Sequence, residues 1–210
     1  MRVNHDNQPD TGRTVTEQAR RAQIIGAAVE VIAEVGYANA SFARIVERAG
    51  LSSTRMISYH FADKAELMSA IIGTVFQAKD EFLGERIGGT TERAALLRAY
   101  ITSEVEFLGT HPDGALAVAE ICANARDSTG TQMFNEPVLR EMRVGRIERQ
   151  LRQGQREGAF GEFDVALMAL TIRQAVDGVA TRLAAEPDLD LAHCGRELAT
   201  LFDRATRPAA

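Results

Sequence analysis

Residues 41–66, SFARIVERAGLSSTRMISYHFADKAE, are the part of the sequence that decides the fold. Ser41 can cap a short second helix, because its hydroxyl can accept a hydrogen bond from a free N–H group of the first turn. Gly50 marks a turn, and a third helix begins at Ser52 or Ser53. Two short helices joined by a glycine turn are typical of a helix-turn-helix, whose second helix enters the major groove of DNA.

The segments on either side of this motif predict longer helices. Thr14 and Glu17 form a capping-box pattern at the start of helix 1, and Gly36 suits a left-handed cap at its end. Downstream, Asp63 and Glu66 form a second capping-box pattern at the start of a fourth helix. The motif is therefore expected inside a bundle of helices.

The remaining sequence favours an all-α fold of about nine helices. Apolar residues recur at three- and four-residue steps between glycine and proline breaks, and no alternating run demands a strand. We divide the chain into a disordered N-terminal arm (1–13), a three-helix helix-turn-helix head (14–62), a helical body (63–206) and a tail (207–210). The last two helices carry long apolar stripes, the final one through Leu191, Cys194, Leu198, Leu201 and Ala205.

The charge distribution and the hydropathy of the sequence limit the classes of function that this chain can have. The 210 residues have a net charge of −5, but residues 1–64 carry 8 basic and 7 acidic side chains, a net charge of +1. An acidic body behind an arginine-containing head suits a protein that touches DNA at one end only. No stretch approaches the about 18 apolar residues of a membrane span, and the N-terminus lacks a signal peptide's apolar segment. We therefore expect a cytoplasmic protein.

Catalytic and metal sites are not predicted. The four histidines lie far apart in the sequence, without the spacing of a metal site, and no nucleotide-binding loop is present. We expect no cofactor, no metal and no enzyme activity. Cys122 and Cys194 fall within helical patterns and are interpreted as ordinary helix residues, with redox sensing as the alternative.

The head resembles the DNA-binding signature of the TetR family of bacterial transcription regulators over about residues 14–80. The matching residues, in order, are Gly36-Tyr37, Ser41, Ile45, Ala49-Gly50-Leu51-Ser52, Ile57-Ser58-Tyr59-His60-Phe61 and Lys64. One residue more than in the commonest family form separates Ala49-Gly50 from Phe61. The resemblance implies a homodimeric repressor that binds a palindromic operator and is released by a small molecule. The alternative is a helical binding module or small enzyme with a vestigial head.

The DNA-binding candidates are polar residues in and around the motif. They are Ser41, Arg44, Ser52, Ser53, Thr54, Arg55, Ser58, Tyr59, His60 and Lys64. Arginine can bind guanine or phosphate, and tyrosine most often donates to phosphate. Lys64 gains nothing from the helix dipole in the first turn of helix 4, which favours a role in holding phosphate. Tyr37 is open to two interpretations, a packing wedge behind helix 1 or a phosphate contact.

The resemblance also implies that the middle helices enclose a ligand cavity and that the last two helices dimerise. The cavity candidates are Tyr100, Phe107, Met133, Phe134 and Met142, with plain core packing as the alternative. Arg173 and Asp177 could bind a ligand or form an ion pair one helical turn apart. The candidates for the dimer interface are Val176, Val179, Leu183, Leu198 and Leu201.

Overall fold

A computed structural model describes residues 15–126, 129–133 and 140–208. The predicted arm, Thr14 with its capping role and the candidate Phe134 lie outside the described residues. The helices are α1 (Val15–Val35), α2 (Phe42–Arg48), α3 (Arg55–His60), α4 (Lys64–Ile87), α5 (Arg93–Thr110), α6 (Pro112–Asn124), α7 (Arg146–Arg156), α8 (Val165–Ala185) and α9 (Leu191–Thr206). A π-helical segment, Glu141–Gly145, runs directly into α7. The all-α prediction is confirmed, and an isolated bridge between Arg126 and Gln132 is the sole β pairing in the described residues.

Local signals place the ends of the first helices. Gly36 follows α1 with a φ angle of 77°, which glycine adopts without the strain that a side chain would cause. Ser41 caps α2 by accepting a hydrogen bond of 3.3 Å from the backbone N–H group of Arg44. Asp63 caps α4 by accepting one of 2.8 Å from the N–H group of Glu66. These capping predictions are confirmed.

The start of α3 differs from the prediction of Ser52 or Ser53. The helix begins at Arg55, with Thr54 as N-cap, and the Thr54 side chain makes no capping hydrogen bond. Instead, the Thr54 carbonyl accepts the N–H groups of Ile57 and Ser58. The predicted start was therefore two or three residues too early.

The head is built on a core of branched aliphatic side chains. Ile24 and Ile32 of α1, Ile45 of α2 and Ile57 of α3 are each 0% exposed, and Leu67 of α4 completes the same cluster. Burial of each such side chain contributes about 1.5–3 kcal/mol to folding. The core thereby fixes the three short elements against α4, which continues into the body.

The body surrounds α5. α4, α8 and α9 all pack against it, and α9 makes the most extensive contact. The two helices are in close contact at Gly195, where an added Cβ atom would lie at van der Waals distance, 3.4 Å, from the Thr102 Cα atom. None of the helices in the described part of the chain combines the length and apolar character needed to cross a membrane.

The inward face of α9 is offset from the apolar stripe of its sequence. Leu201 is 57% exposed and Ala205 is exposed, whereas Ala199 and Phe202 are buried. The buried face consists of Gly195, Ala199, Phe202, Asp203 and Thr206, and Leu201 lies outside it. Leu201, a candidate for the dimer interface, is therefore exposed in the single chain.

Candidate nucleic-acid interface

Helix α3 presents a polar face to the outside while its opposite face holds it in the head. Ile57 and Phe61 are 0% and 1% exposed, so the helix is anchored at its middle and at its end. Four predicted contact residues share the outward side: Thr54, Arg55, Ser58 and Tyr59. Tyr59 is 75% exposed, which is unusual for a large aromatic side chain with no role at a surface.

The remaining candidates lie at the margins of this face. Ser52 and Ser53 are exposed in the turn before α3, and Ser41 and Arg44 are exposed at the start of α2. His60 is half-buried, with its ring edge-on to Tyr59 at a centroid distance of 5.0 Å. The helix-turn-helix thus brings nine of the predicted residues into two adjoining elements and the turn that joins them.

Two arginines of the helix-turn-helix have no ion pair among the described residues. Arg44 and Arg55 are exposed, and no carboxylate holds their guanidinium groups. By contrast, Arg48 pairs with Glu30 at 3.1 Å and also with Glu34. Arg44 and Arg55 are therefore the cationic groups of the motif that are available to phosphate or a guanine edge.

Arg21 on α1 positions the end of α3 and the start of α4. Its guanidinium donates to the His60 carbonyl, lies 4.0 Å from the Phe61 ring centroid and pairs with Glu66 at 3.2 Å. Glu66 in turn accepts the Ala62 N–H group at 2.7 Å. The sequence analysis missed this role, because nothing in a local pattern links an arginine to a carbonyl 39 residues away.

Lys64 lies at the first turn of α4, next to the Tyr37 ring. The Nζ atom is 4.2 Å from the ring centroid, and burial lowers the pKa of Lys64. Burial also raises the pKa of Tyr37, against the smaller opposing effect of Arg126. The packing interpretation of Tyr37 is thus observed, and its ring holds Lys64 beside the N-terminus of α4, where phosphate groups bind readily.

Tyr37 also joins the head to the body. Its backbone N–H group donates to Glu120 Oε2 of α6 at 3.1 Å, and the same oxygen accepts from Asn124 at 3.1 Å. α6 packs along α1 as well. A movement of α6 would therefore displace the Tyr37 backbone, and the Tyr37 ring would pass this displacement on to Lys64. This contact was also missed, since 83 residues separate the two partners.

The described aromatic and methionine candidates for a ligand site lie in different elements. Tyr100 and Phe107 are 4% and 3% exposed in α5. Met133 and Met142 pack instead against the hydrophobic core of the head. The described members of the set thus lie in different parts of the core, and their role in binding a ligand stays a prediction.

Arg173 and Asp177 belong to a buried ionic network of the body. Arg173 donates to Glu104 at 2.9 Å and to Asp177 at 3.0 Å, so the predicted ion pair along α8 is present. Glu104 also binds Lys79 of α4 at 3.2 Å and accepts the Tyr100 hydroxyl at 2.8 Å. The network joins α4, α5 and α8.

The charges of the network decide the ionisation of Glu104. Burial alone raises the pKa of this carboxyl, but Lys79 and Arg173 outweigh that effect, with hydrogen bonds from Tyr100 and Arg173 adding to it. The resulting pKa is about 2. Glu104 is therefore a buried carboxylate that compensates two buried cations.

The residues predicted for the dimer interface differ in how much of each side chain is exposed. Val176 is 1% exposed and packs with Val105 and Leu108 of the same chain, so its side chain is already covered. Val179, Leu183 and Leu198 are half-buried in the same region. Leu201 is exposed, as are Leu167 and Leu170 of α8 at 63% and 48%. The sequence analysis did not single out these two leucines of α8.

Comparison with known proteins gives a family match in the head. A family model described as "Bacterial regulatory proteins, tetR family" matches residues 24–71. The regulator BetI of Ectopseudomonas mendocina is 39% identical over 84 residues, which cover 39% of this chain and 42% of that protein. BetI of an Escherichia coli strain is 28% identical over 170 residues, covering 78% of this chain and 86% of its relative.

Solved structures extend the likeness to the body. The fatty acid degradation regulator FadR from Bacillus halodurans superposes with a TM-score of 0.74 at 23% identity, covering 90% of this chain and 97% of its own. FadR from Bacillus subtilis, solved in complex with stearoyl-CoA, gives a TM-score of 0.71 at 25% identity. That match covers 86% of this chain and 96% of the other. The fold of a transcriptional regulator thus extends across both head and body.

Proposed function

Because the chain belongs to the TetR family of transcriptional regulators, we propose that it is a repressor that binds a palindromic operator as a homodimer and is released by a small molecule. The head (14–62) binds DNA, and the body (63–206) dimerises and takes the effector. The observation that carries the proposal is the exposed face of α3, where Arg55 and Tyr59 project from a helix held by a dense core. A vestigial head would have no need of such a surface.

The dimer is supported by apolar side chains on the closing helices. Leu167 and Leu170 of α8 and Leu201 of α9 are the large hydrophobic residues that these helices leave most exposed. Exposed apolar surface of this kind marks an interaction site, and two helices from each subunit can form a two-fold, four-helix interface. A two-fold dimer presents two α3 helices, which explains why the operator would be palindromic.

Release is supported by the two connections between body and head. α4 runs from the head into the body without a break, and Glu120 of α6 holds Tyr37. Two recognition helices must lie about 34–36 Å apart to enter successive major grooves, so a tilt of α4 would disturb binding. An effector shifts this equilibrium only by its differential affinity for the two states, typically about 1–3 kcal/mol.

The proposed effector is a small organic molecule. FadR from Bacillus subtilis was solved in complex with stearoyl-CoA, which supports an organic effector for a regulator of this fold. The relatives compared are regulators, and no enzymatic role is proposed here. We place the protein in the cytoplasm, because its proposed partner is chromosomal DNA.

Replacing Arg55 or Tyr59 with alanine is expected to weaken operator binding by about tenfold or more without unfolding the protein. Both side chains are exposed, so their removal costs little stability, whereas a lost base or phosphate contact costs about 1–3 kcal/mol. Fluorescence anisotropy on a labelled operator fragment measures the effect. Arg156→Ala is the matched control, because Arg156 is an exposed arginine at the end of α7. Wild-type affinity in both head variants would contradict the assignment.

Lys64→Ala is expected to weaken binding to all DNA sequences alike and to lower the salt slope by about one unit per head. The reason is that each lost phosphate contact releases about one counterion fewer. The affinities for operator DNA and for non-specific DNA are measured at several salt concentrations. Lys64→Arg is the control and should retain the salt slope of the wild type. A slope unchanged by the alanine variant would show that Lys64 makes no phosphate contact.

A further inference from the structure

A large cleft lies between the head and the body, apart from the ionic network. It has a volume of about 1260 Å³, and its walls come from α1, from α4 and from the junction of α5 and α6. Ligand sites commonly have volumes of about 300–1,000 Å³, so the space admits a small organic molecule. Among the ligand candidates that the structure describes, Phe107 alone lines it.

The floor of the cleft is apolar. α1 contributes Ile25 and Val29, α4 contributes Val75, and Phe107 and Pro112 come from the junction. The Phe107 ring stacks on His111, with centroids 4.4 Å apart. Such a floor favours a ligand with a hydrocarbon body, since burial of its apolar surface is the main favourable contribution to binding.

The rim of the cleft is acidic. Glu17, Glu30 and Asp113 line it together with one arginine, Arg21. Glu30 already pairs with Arg48 at 3.1 Å. Arg21 is already held by Glu66 and the His60 carbonyl. Asp113, in the first turn of α6, has no hydrogen-bond or ion-pair partner among the described residues. The Asp113 carboxylate therefore attracts a positive charge to this side of the cleft and repels a negative one.

We propose that this cleft binds an amphipathic organic cation, with its apolar body on the floor and its positive group near Asp113. Charge complementarity distinguishes this ligand from a fatty acid or another anionic amphiphile. The occupant would contact α1 of the head together with α4 and α6 of the body. An effect on operator affinity would follow from the proposed function, but binding to the cleft does not depend on it.

Three probes of equal chain length and different charge test the proposal by titration calorimetry in the absence of DNA. Octyltrimethylammonium is expected to bind at least about fivefold more tightly than octanol. Octanoate is expected to bind most weakly of the three probes. Asp113→Asn should remove most of the preference for the cation. Equal affinity for the three probes, or tighter binding of octanoate, would overturn the proposal.

A second variant tests the location. A Cβ atom on Gly26 meets nothing within 4 Å, and this exposed residue lines the cleft within α1. Gly26→Leu should therefore fill the space without a clash and weaken binding of the cation by about tenfold. Gly84→Leu is the control, because Gly84 is also an exposed helical glycine with open space but does not line the cleft. Unchanged binding in Gly26→Leu would place the probe elsewhere and overturn the proposal.

Discussion

Replacing Leu170 and Leu201 together with glutamate is expected to convert the dimer into a monomer and to weaken operator binding by at least about 100-fold. The two residues are 48% and 57% exposed on the closing helices of one subunit, so charges there cost little in the monomer. Charges buried without partners in a dimer interface are strongly unfavourable. A monomer has one α3 helix and can bind only half of a palindromic site.

Light scattering and operator titration on the same samples measure the two effects together. Leu116→Glu is the matched control, because Leu116 is a 38% exposed leucine on α6 and is not part of the proposed interface. It should stay dimeric and bind the operator normally. If the double variant remains a dimer with wild-type affinity, the interface does not involve these faces of α8 and α9.

Glu104→Gln is expected to lower the free energy of unfolding by about 3–5 kcal/mol. The substitution leaves Lys79 and Arg173 buried without their shared carboxylate, and breaking a buried pair in this way is costly. Urea denaturation measures the change. Glu106→Gln on the same helix is the control, because Glu106 is about half exposed and pairs with Arg86 at the surface. That surface pair contributes at most about 1 kcal/mol.

The wild type and Glu104→Gln are also expected to differ in how their stability depends on pH. The pKa of Glu104 is about 2 in the folded state, below the value of about 4.3 expected when the chain is unfolded. A depressed carboxyl pKa stabilises the fold fully above the unfolded value, and this contribution is lost as the pH falls toward the folded value. The stability advantage of the wild type over Glu104→Gln should therefore be constant near neutral pH and shrink between about pH 4.5 and pH 2. A constant difference down to pH 2.5 would contradict this ionisation.

Local signals in the sequence were sufficient for the helix caps and the turn of the head. The caps at Ser41 and Asp63 and the turn at Gly50 depend on residues within four positions of one another, and all three are present. The outward side of α3 could be predicted for the same reason. Once Ile57 is placed inward, helical geometry turns Tyr59 away from the core.

Contacts between distant segments could not be predicted in the same way. Arg21 reaches the His60 carbonyl and Glu120 reaches the Tyr37 backbone, and neither contact has a periodic signature. The inward face of α9 could not be predicted from apolar spacing either, since it includes Asp203 and Thr206 and depends on the contact with α5.

The central claim is that this protein recognises a specific operator through α3 as a dimer, and capture of genomic fragments tests it most directly. Sheared chromosomal DNA from the source organism is incubated with the purified protein, and the retained fragments are sequenced beside those retained by an Arg55→Ala, Tyr59→Ala double variant. The account predicts that wild type enriches a few fragments sharing an inverted repeat, with half-sites about 10 bp apart or a multiple of this, and that the double variant does not. Equal recovery of all fragments by both proteins, without a common repeat, would contradict it.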